Sequence, residues 1–172
     1  MRKMGCSFTG HRAIEDRHMR EIGDLLARAV NYAYNEGCRE FFAGGAQGFD
    51  TLAAREVIRF RLTHPDVSLI LLLPCIDQNA HWSDEAKDSY EYTLSVADEV
   101  RYISDIYTPT CMRERNQALV DSCDILIAYV GREKSGGGQT VRMAERAKKR
   151  VYNLYPTLEK ESKHKKTMKT EK

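Results

Sequence analysis

The chain has 172 residues, 27 Lys and Arg against 25 Asp and Glu, and 42% apolar side chains. That is the length of one domain able to bury about two-thirds of the surface its unfolded form exposes, and overall charge gives no reason to expect nucleic acid as a partner. The five cysteines (Cys6, Cys38, Cys75, Cys111, Cys123) form no C-x-x-C pair, the histidines lack ligand spacing, and no signal peptide or membrane-length apolar run occurs, so a reduced, cytoplasmic protein without a tightly bound metal or a membrane association is expected.

Met4 to Phe8 is an apolar run ended by Thr9-Gly10, and Ile14 to Asn35 has apolar residues at helical spacing before the stop signal Gly37. Phe41 to Ala43 reads as a buried strand, Asp50 to Leu62 as a helix, and Val67 to Leu73, apolar but for Ser68, as a strand covered on both faces. A helix over Ala80 to Ala97, a weaker strand over Glu99 to Ile103, a helix over Thr110 to Ser122 and a second buried strand over Ile125 to Val130 follow. Gly138 to Lys149 as helix and Val151 to Leu154 as strand complete the set. This alternation predicts one three-layer, Rossmann-like α/β domain with a mostly parallel sheet over residues 1–156. Residues 157–172 carry six lysines and three glutamates with almost nothing apolar, the composition of a disordered tail.

In such folds ligands gather beyond the carboxyl ends of the strands. Standing there are Thr9, Gly10, His11 and Arg12; Gly44, Gly45, Ala46, Gly48, Phe49 and Asp50; Pro74, Asp77, Gln78, His81 and Trp82; Arg113, Arg115 and Asn116; and Gly136, Gly137, Gly138 and Thr140. Glycine loops before helices let backbone amides approach phosphate. Arginine can grip phosphate bidentately, a carboxylate such as Asp50 can accept ribose hydroxyls, and Trp82 can stack on a base. Each has a plainer role too: Gly44-Gly45 as a tight βα turn, Asp50 as a favourable charge at a helix start, Trp82 as packing against the sheet. Neither G-x-G-x-x-G nor G-x-x-x-x-G-K-[ST] occurs, which disfavours an ordinary dehydrogenase or P-loop enzyme.

Thr9-Gly10-His11-Arg12, the Gly44 to Asp50 loop with Ala53-Ala54, Leu73-Pro74, Arg115-Asn116, Cys123 to Ala128 and Gly136 to Thr140 together resemble the SLOG superfamily, and within it the small bacterial YpsA/YoqJ-like branch. The resemblance covers roughly residues 4 to 155. It implies a Rossmann-like fold, dimers, and a ligand of nucleotide, NAD or ADP-ribose type; in the DprA (Smf) members the ligand is single-stranded DNA. The LOG members release a base from a nucleoside monophosphate, and their arginine stretch is similar to Met112-Arg113-Glu114-Arg115-Asn116, so the resemblance puts Arg115 on the substrate. In the Pro-Gly-Gly-x-Gly-Thr-x-x-Glu motif of those enzymes, Ser135 here stands for the proline and Met143 for the catalytic glutamate, while Glu145 falls on a different helical face. The expected function is therefore binding or sensing of a nucleotide-derived ligand. The alternatives are a nucleotide hydrolase drawing on Arg115 with Asp50, Asp77, Glu114 or Glu145, and a DprA-like nucleic-acid binder.

Overall fold

The computed structural model describes residues 2–171 and is built on one six-stranded, wholly parallel sheet. The strands are β1 (Met4–Gly10), β2 (Cys38–Ala43), β3 (Ser68–Cys75), β4 (Glu99–Ser104), β5 (Ile125–Tyr129) and β6 (Arg150–Asn153), in the spatial order β4-β3-β2-β1-β5-β6. The helices between them are α1 (Met19–Asn35), α2 (Phe49–Arg61), α3 (Asp84–Val96), α4 (Cys111–Ser122) and α5 (Gly136–Arg146), with α6 (Tyr155–Thr170) last.

The order dictates the layers. From β1 the chain steps outward through β2 and β3 to β4, and right-handed crossovers then keep α1, α2 and α3 on one face. At α4 it turns back to β5, beside β1, so α4 and α5 cover the other face. Side-chain alternation follows: in β3, Leu69, Leu71 and Leu73 join the core beneath α1 and α2, while Ile70 and Leu72 meet Leu119 of α4. In β1, Cys6 and Phe8 belong to the first core, which leaves Ser7 and Thr9 toward α4, where Ser7 Oγ donates to the Leu119 carbonyl at 2.6 Å. The point where strand order reverses, between the ends of β1 and β5, is the crevice that this architecture offers to a ligand.

Three boundaries differ from the sequence pattern. The helix after β1 begins at Met19, following a 3-10 turn at Asp16–His18, because His18 is fully buried between the Tyr129 hydroxyl (2.6 Å) and Glu159 (2.7 Å). α3 starts only at Asp84, where Ser83 Oγ accepts from the Ala86 N–H. The lysine-rich end is helical rather than irregular: Leu158 is buried in the main core, and Glu159 accepts from Arg17 Nε at 2.6 Å. Those two residues anchor a helix whose composition alone gives no reason to fold; beyond Ser162 it is exposed. Among the described residues, no helix is long and apolar enough to cross a membrane.

Candidate functional site

At the β1/β5 switch point lies a cleft of about 580 Å³, walled by the end of β1, the segments that follow β2 and β5, α4 and the first turn of α5. Its α4 wall is the stripe Met112, Arg115, Asn116 and Leu119, residues three and four apart that share one helical face. Thr9 reaches the floor because the β1 alternation turns it to this side, and Asp50 because α2 starts directly beneath the loop that leaves β2.

The floor is polar and buried. Thr9, Asp50, Arg115 and Asn116 are 5 to 8% exposed. Arg115 Nη1 donates to the Gly44 carbonyl and Nε to Asn116 Oδ1 at 3.0 Å, and Asp50 Oδ2 accepts from the Ala46 N–H at 3.1 Å. That uses only part of each group's capacity. Among the described residues Thr9 Oγ1, Asp50 Oδ1, Arg115 Nη2 and Asn116 Nδ2 have no partner, yet no fully buried side-chain nitrogen or oxygen there is left unpaired. The free atoms therefore touch solvent, and all four residues line the cleft. Burial pushes the Asp50 carboxyl up to about 6, against the pull of Arg115 and the Ala46 N–H. Burial likewise lowers the Arg115 guanidinium, and Asp50 offsets part of that. Both groups lie within 3.0 Å of the point where a Cβ on Gly44 would stand.

His11 closes one side. Its Nε2 accepts from the Gly131 N–H at 2.8 Å, which assigns the ring proton to Nδ1 and makes His11 a neutral donor. Burial, followed by the nearby Arg132 charge, lowers its pKa in keeping with that tautomer. Behind it stands an aromatic cluster. His11 meets Tyr129 and Tyr155 edge-on, at 5.8 and 6.1 Å. Tyr155 packs so closely on Gly131 that a Cβ there would lie 2.3 Å from its ring.

The rim is cationic. Arg12, Arg113 and Arg132 line the cleft, are exposed, and form no ion pair among the described residues; Asp50 is the one carboxylate in the lining. Opposite them α5 opens. Ser135 Oγ accepts from Gly138 N–H and the Ser135 carbonyl from Gln139 N–H, leaving the amides of Gly136 and Gly137 at the positive end of the helix dipole. A Cβ on Gly136 would meet nothing within 4 Å, so the space beside these amides is open.

The sequence-derived residues divide. Thr9, Gly10, His11, Arg12, Ala46, Asp50, Arg115, Asn116, Gly136 and Gly137 come together in this lining. Gly44, Gly45 and Gly48 lie just outside it, each with a structural reason to be glycine. Gly44 makes room for Arg115, Gly45 (φ 71°) packs on Leu73, and Gly48 (φ 76°) lies against the Arg12 carbonyl. Phe49 is buried beneath Gly10 and stacks on Tyr129. Pro74 is buried in β3, Gln78 bonds Tyr90 and the Gly45 carbonyl, and Trp82 faces another groove. Gly138 packs on Glu133, and Thr140, fully buried, donates to the Gly136 carbonyl. Glu145 is exposed on a separate depression with Arg142 and Tyr155. Met143 sits in an apolar cluster with Val120 and Leu126. Arg132 and Gln139 also line the cleft; the Gly131 to Thr140 stretch stands at a strand end in the sequence, but its glycines and Thr140, not these two side chains, are the ones residue type marks as ligand-binding. Among the described residues, no three His, Cys, Asp or Glu side chains stand together as a metal site.

The comparisons agree with this architecture. The chain is 26% identical over 136 residues, 78% of its length and 74% of the relative's, to a UPF0398 protein of Bacillus thuringiensis (strain Al Hakam). It is 28% identical over the same extent to one of Bacillus cereus (strain G9842). In fold it resembles DNA processing protein A of Helicobacter pylori, studied for its single-stranded DNA binding mode, with a TM-score of 0.60 at 18% identity over 87% of this chain. It also resembles DprA of Streptococcus pneumoniae, with a TM-score of 0.62 at 16% identity over 88%. The chain spans only 64% and 50% of those two proteins. A model of the YspA SLOG family (YpsA) matches residues 7–159, from β1 into α6, and the chain belongs to that family.

Proposed function

We propose that the cleft binds a phosphorylated, nucleotide-derived small molecule of the nucleotide, NAD or ADP-ribose type. The observation that carries this reading is the floor: four buried polar side chains, each holding an unused hydrogen-bonding atom toward one cavity. A polar group desolvated to this degree costs free energy unless a ligand or ordered water completes its bonds. The amides of Gly136 and Gly137 with Arg12, Arg113 and Arg132 supply the anion site, and Asp50 and Thr9 accept from hydroxyls beside it. Five buried, unpaired cysteines suit a reducing, cytoplasmic setting.

A hydrolytic reading has one observation in its favour: Asp50, with a carboxyl raised to about 6 and one oxygen open to the cleft, has the acidity of a general acid or base. A nucleic-acid reading has another, since unpaired rim arginines would serve a phosphodiester backbone as well as a single phosphate.

Calorimetric titration with AMP, NAD, ADP-ribose and a single-stranded oligonucleotide, with product analysis of each mixture, tests all three. Saturable binding without turnover supports the small-molecule reading. Release of base or ribose phosphate moves the assignment to hydrolase. Binding of an oligonucleotide but of none of the three small molecules overturns it.

A further inference from the structure

On the other side of the Ala46 to Gly48 loop lies a second depression, of about 350 Å³, between α2, α3 and the segment leading into α1. One wall is apolar: Leu52, Ile14 and the half-exposed Met19 face Trp82, which stands edge-on to Tyr90 at 5.2 Å and 79°. That wall is fixed to the glycine loop, because Gln78 Nε2 bonds both the Tyr90 hydroxyl (3.2 Å) and the Gly45 carbonyl (3.4 Å). The other wall is polar. Thr51 donates to the Ala46 carbonyl, Arg55 Nη2 to Ser89 Oγ at 2.7 Å, and Gln47 has no side-chain partner among the described residues. A half-buried indole and an amide that can both donate and accept, lining one depression, suit a planar ring with a hydrogen-bonding edge. The partition between the two cavities is thin. Gly48 packs on the backbone carbonyls of His11 and Arg12, and those two residues line the cleft itself.

We propose that this groove is a base subsite, in which Trp82 and Gln47 take the purine or pyrimidine ring of a ligand whose phosphate lies in the cleft. The inference rests on the cleft reading above, but its readout is separate. Trp82 is the sole tryptophan of the chain, so its emission reports the groove, whereas stabilisation by inorganic pyrophosphate reports the cleft alone.

The experiment titrates the full chain with pyrophosphate, adenosine, guanosine, AMP and GMP, following Trp82 fluorescence and thermal midpoint together. The expected result is quenching by nucleosides and tighter quenching by at least one nucleotide, with none from pyrophosphate. Ala86→Phe, which fills the groove from α3, should abolish the quenching and leave the pyrophosphate stabilisation. A nucleotide that stabilises the protein without changing Trp82 emission overturns the groove and leaves the cleft reading intact. Nucleoside quenching without any stabilisation by pyrophosphate or nucleotide overturns the cleft and retains the groove as a ring site. Emission that moves with protein concentration alone seats a second copy there and overturns the proposal, and no response in either readout overturns both.

Discussion

At Asp50 burial and charge pull against each other. A carboxyl raised from its unfolded value of 3.8 to about 6 favours the fold below pH 3.8, and that contribution is lost as pH rises through about 6. At neutral pH the folded chain thus holds an ionised carboxylate in a poorly solvated place. Asp50→Asn keeps an acceptor for the Ala46 N–H, and should raise the thermal midpoint at pH 7.5 by about 5 °C, or about 2 kcal/mol. The gain should shrink toward pH 4, while binding of a hydroxyl-bearing ligand weakens. Melting curves of both proteins across pH check this, and a gain that does not vary with pH contradicts it. Gly44 tests the same floor from the backbone side. Its φ lies outside the left-handed region, but a Cβ would stand 2.5 Å from Arg115 Nη1. Gly44→Ala should therefore move Arg115 and abolish ligand stabilisation with modest loss of fold stability. Gly45→Ala and Gly48→Ala, at φ of 71° and 76°, should each cost at least about 1 kcal/mol in the ligand-free protein.

At the scale of elements, α5 and α6 separate function from support. Gly136→Ala places a methyl group in open space at the helix start, so it should leave the ligand-free protein equally stable, or up to about 1 kcal/mol more so. It should nonetheless weaken phosphate binding at least several-fold. In α6, Leu158 and Glu159 hold the helix to the core and to the Arg17–His18 turn. Truncation after Pro156 should cost about 3 kcal/mol or more by emptying the Leu158 site. Truncation after Lys163 removes exposed residues and the Lys165–Glu21 pair, worth about 1 kcal/mol at most. Equal loss in the two truncations would contradict this division.

The elements themselves were largely legible. Two uninterrupted apolar runs marked β3 and β5 as central strands, and helical periodicity located α1, α2 and α4. The α6 helix was not legible, because its anchoring comes from two residues whose partners lie more than a hundred positions away. The site was half legible. Residue type and strand-end position identified Thr9, Asp50, Arg115 and Gly136, but sequence does not distinguish a glycine that meets a ligand from one that makes room for a guanidinium or a tyrosine ring. Nor does it separate Trp82 from the cleft, since the thin wall between the two cavities exists only once Gly48 is packed on Arg12.

For the molecule as a whole, ligand recognition belongs at the single reversal in strand order, where two opposite halves of the sheet meet and the lining converges from four segments. A ligand bound there only in the native state should raise global stability by mass action. The most direct measurement is the thermal midpoint of wild type and Gly136→Ala with saturating AMP, NAD and ADP-ribose. The expected result is a rise of several degrees in wild type with at least one of them, much reduced in Gly136→Ala at the same concentration, with similar ligand-free midpoints. An identical rise in both proteins, or no rise in either, would contradict it.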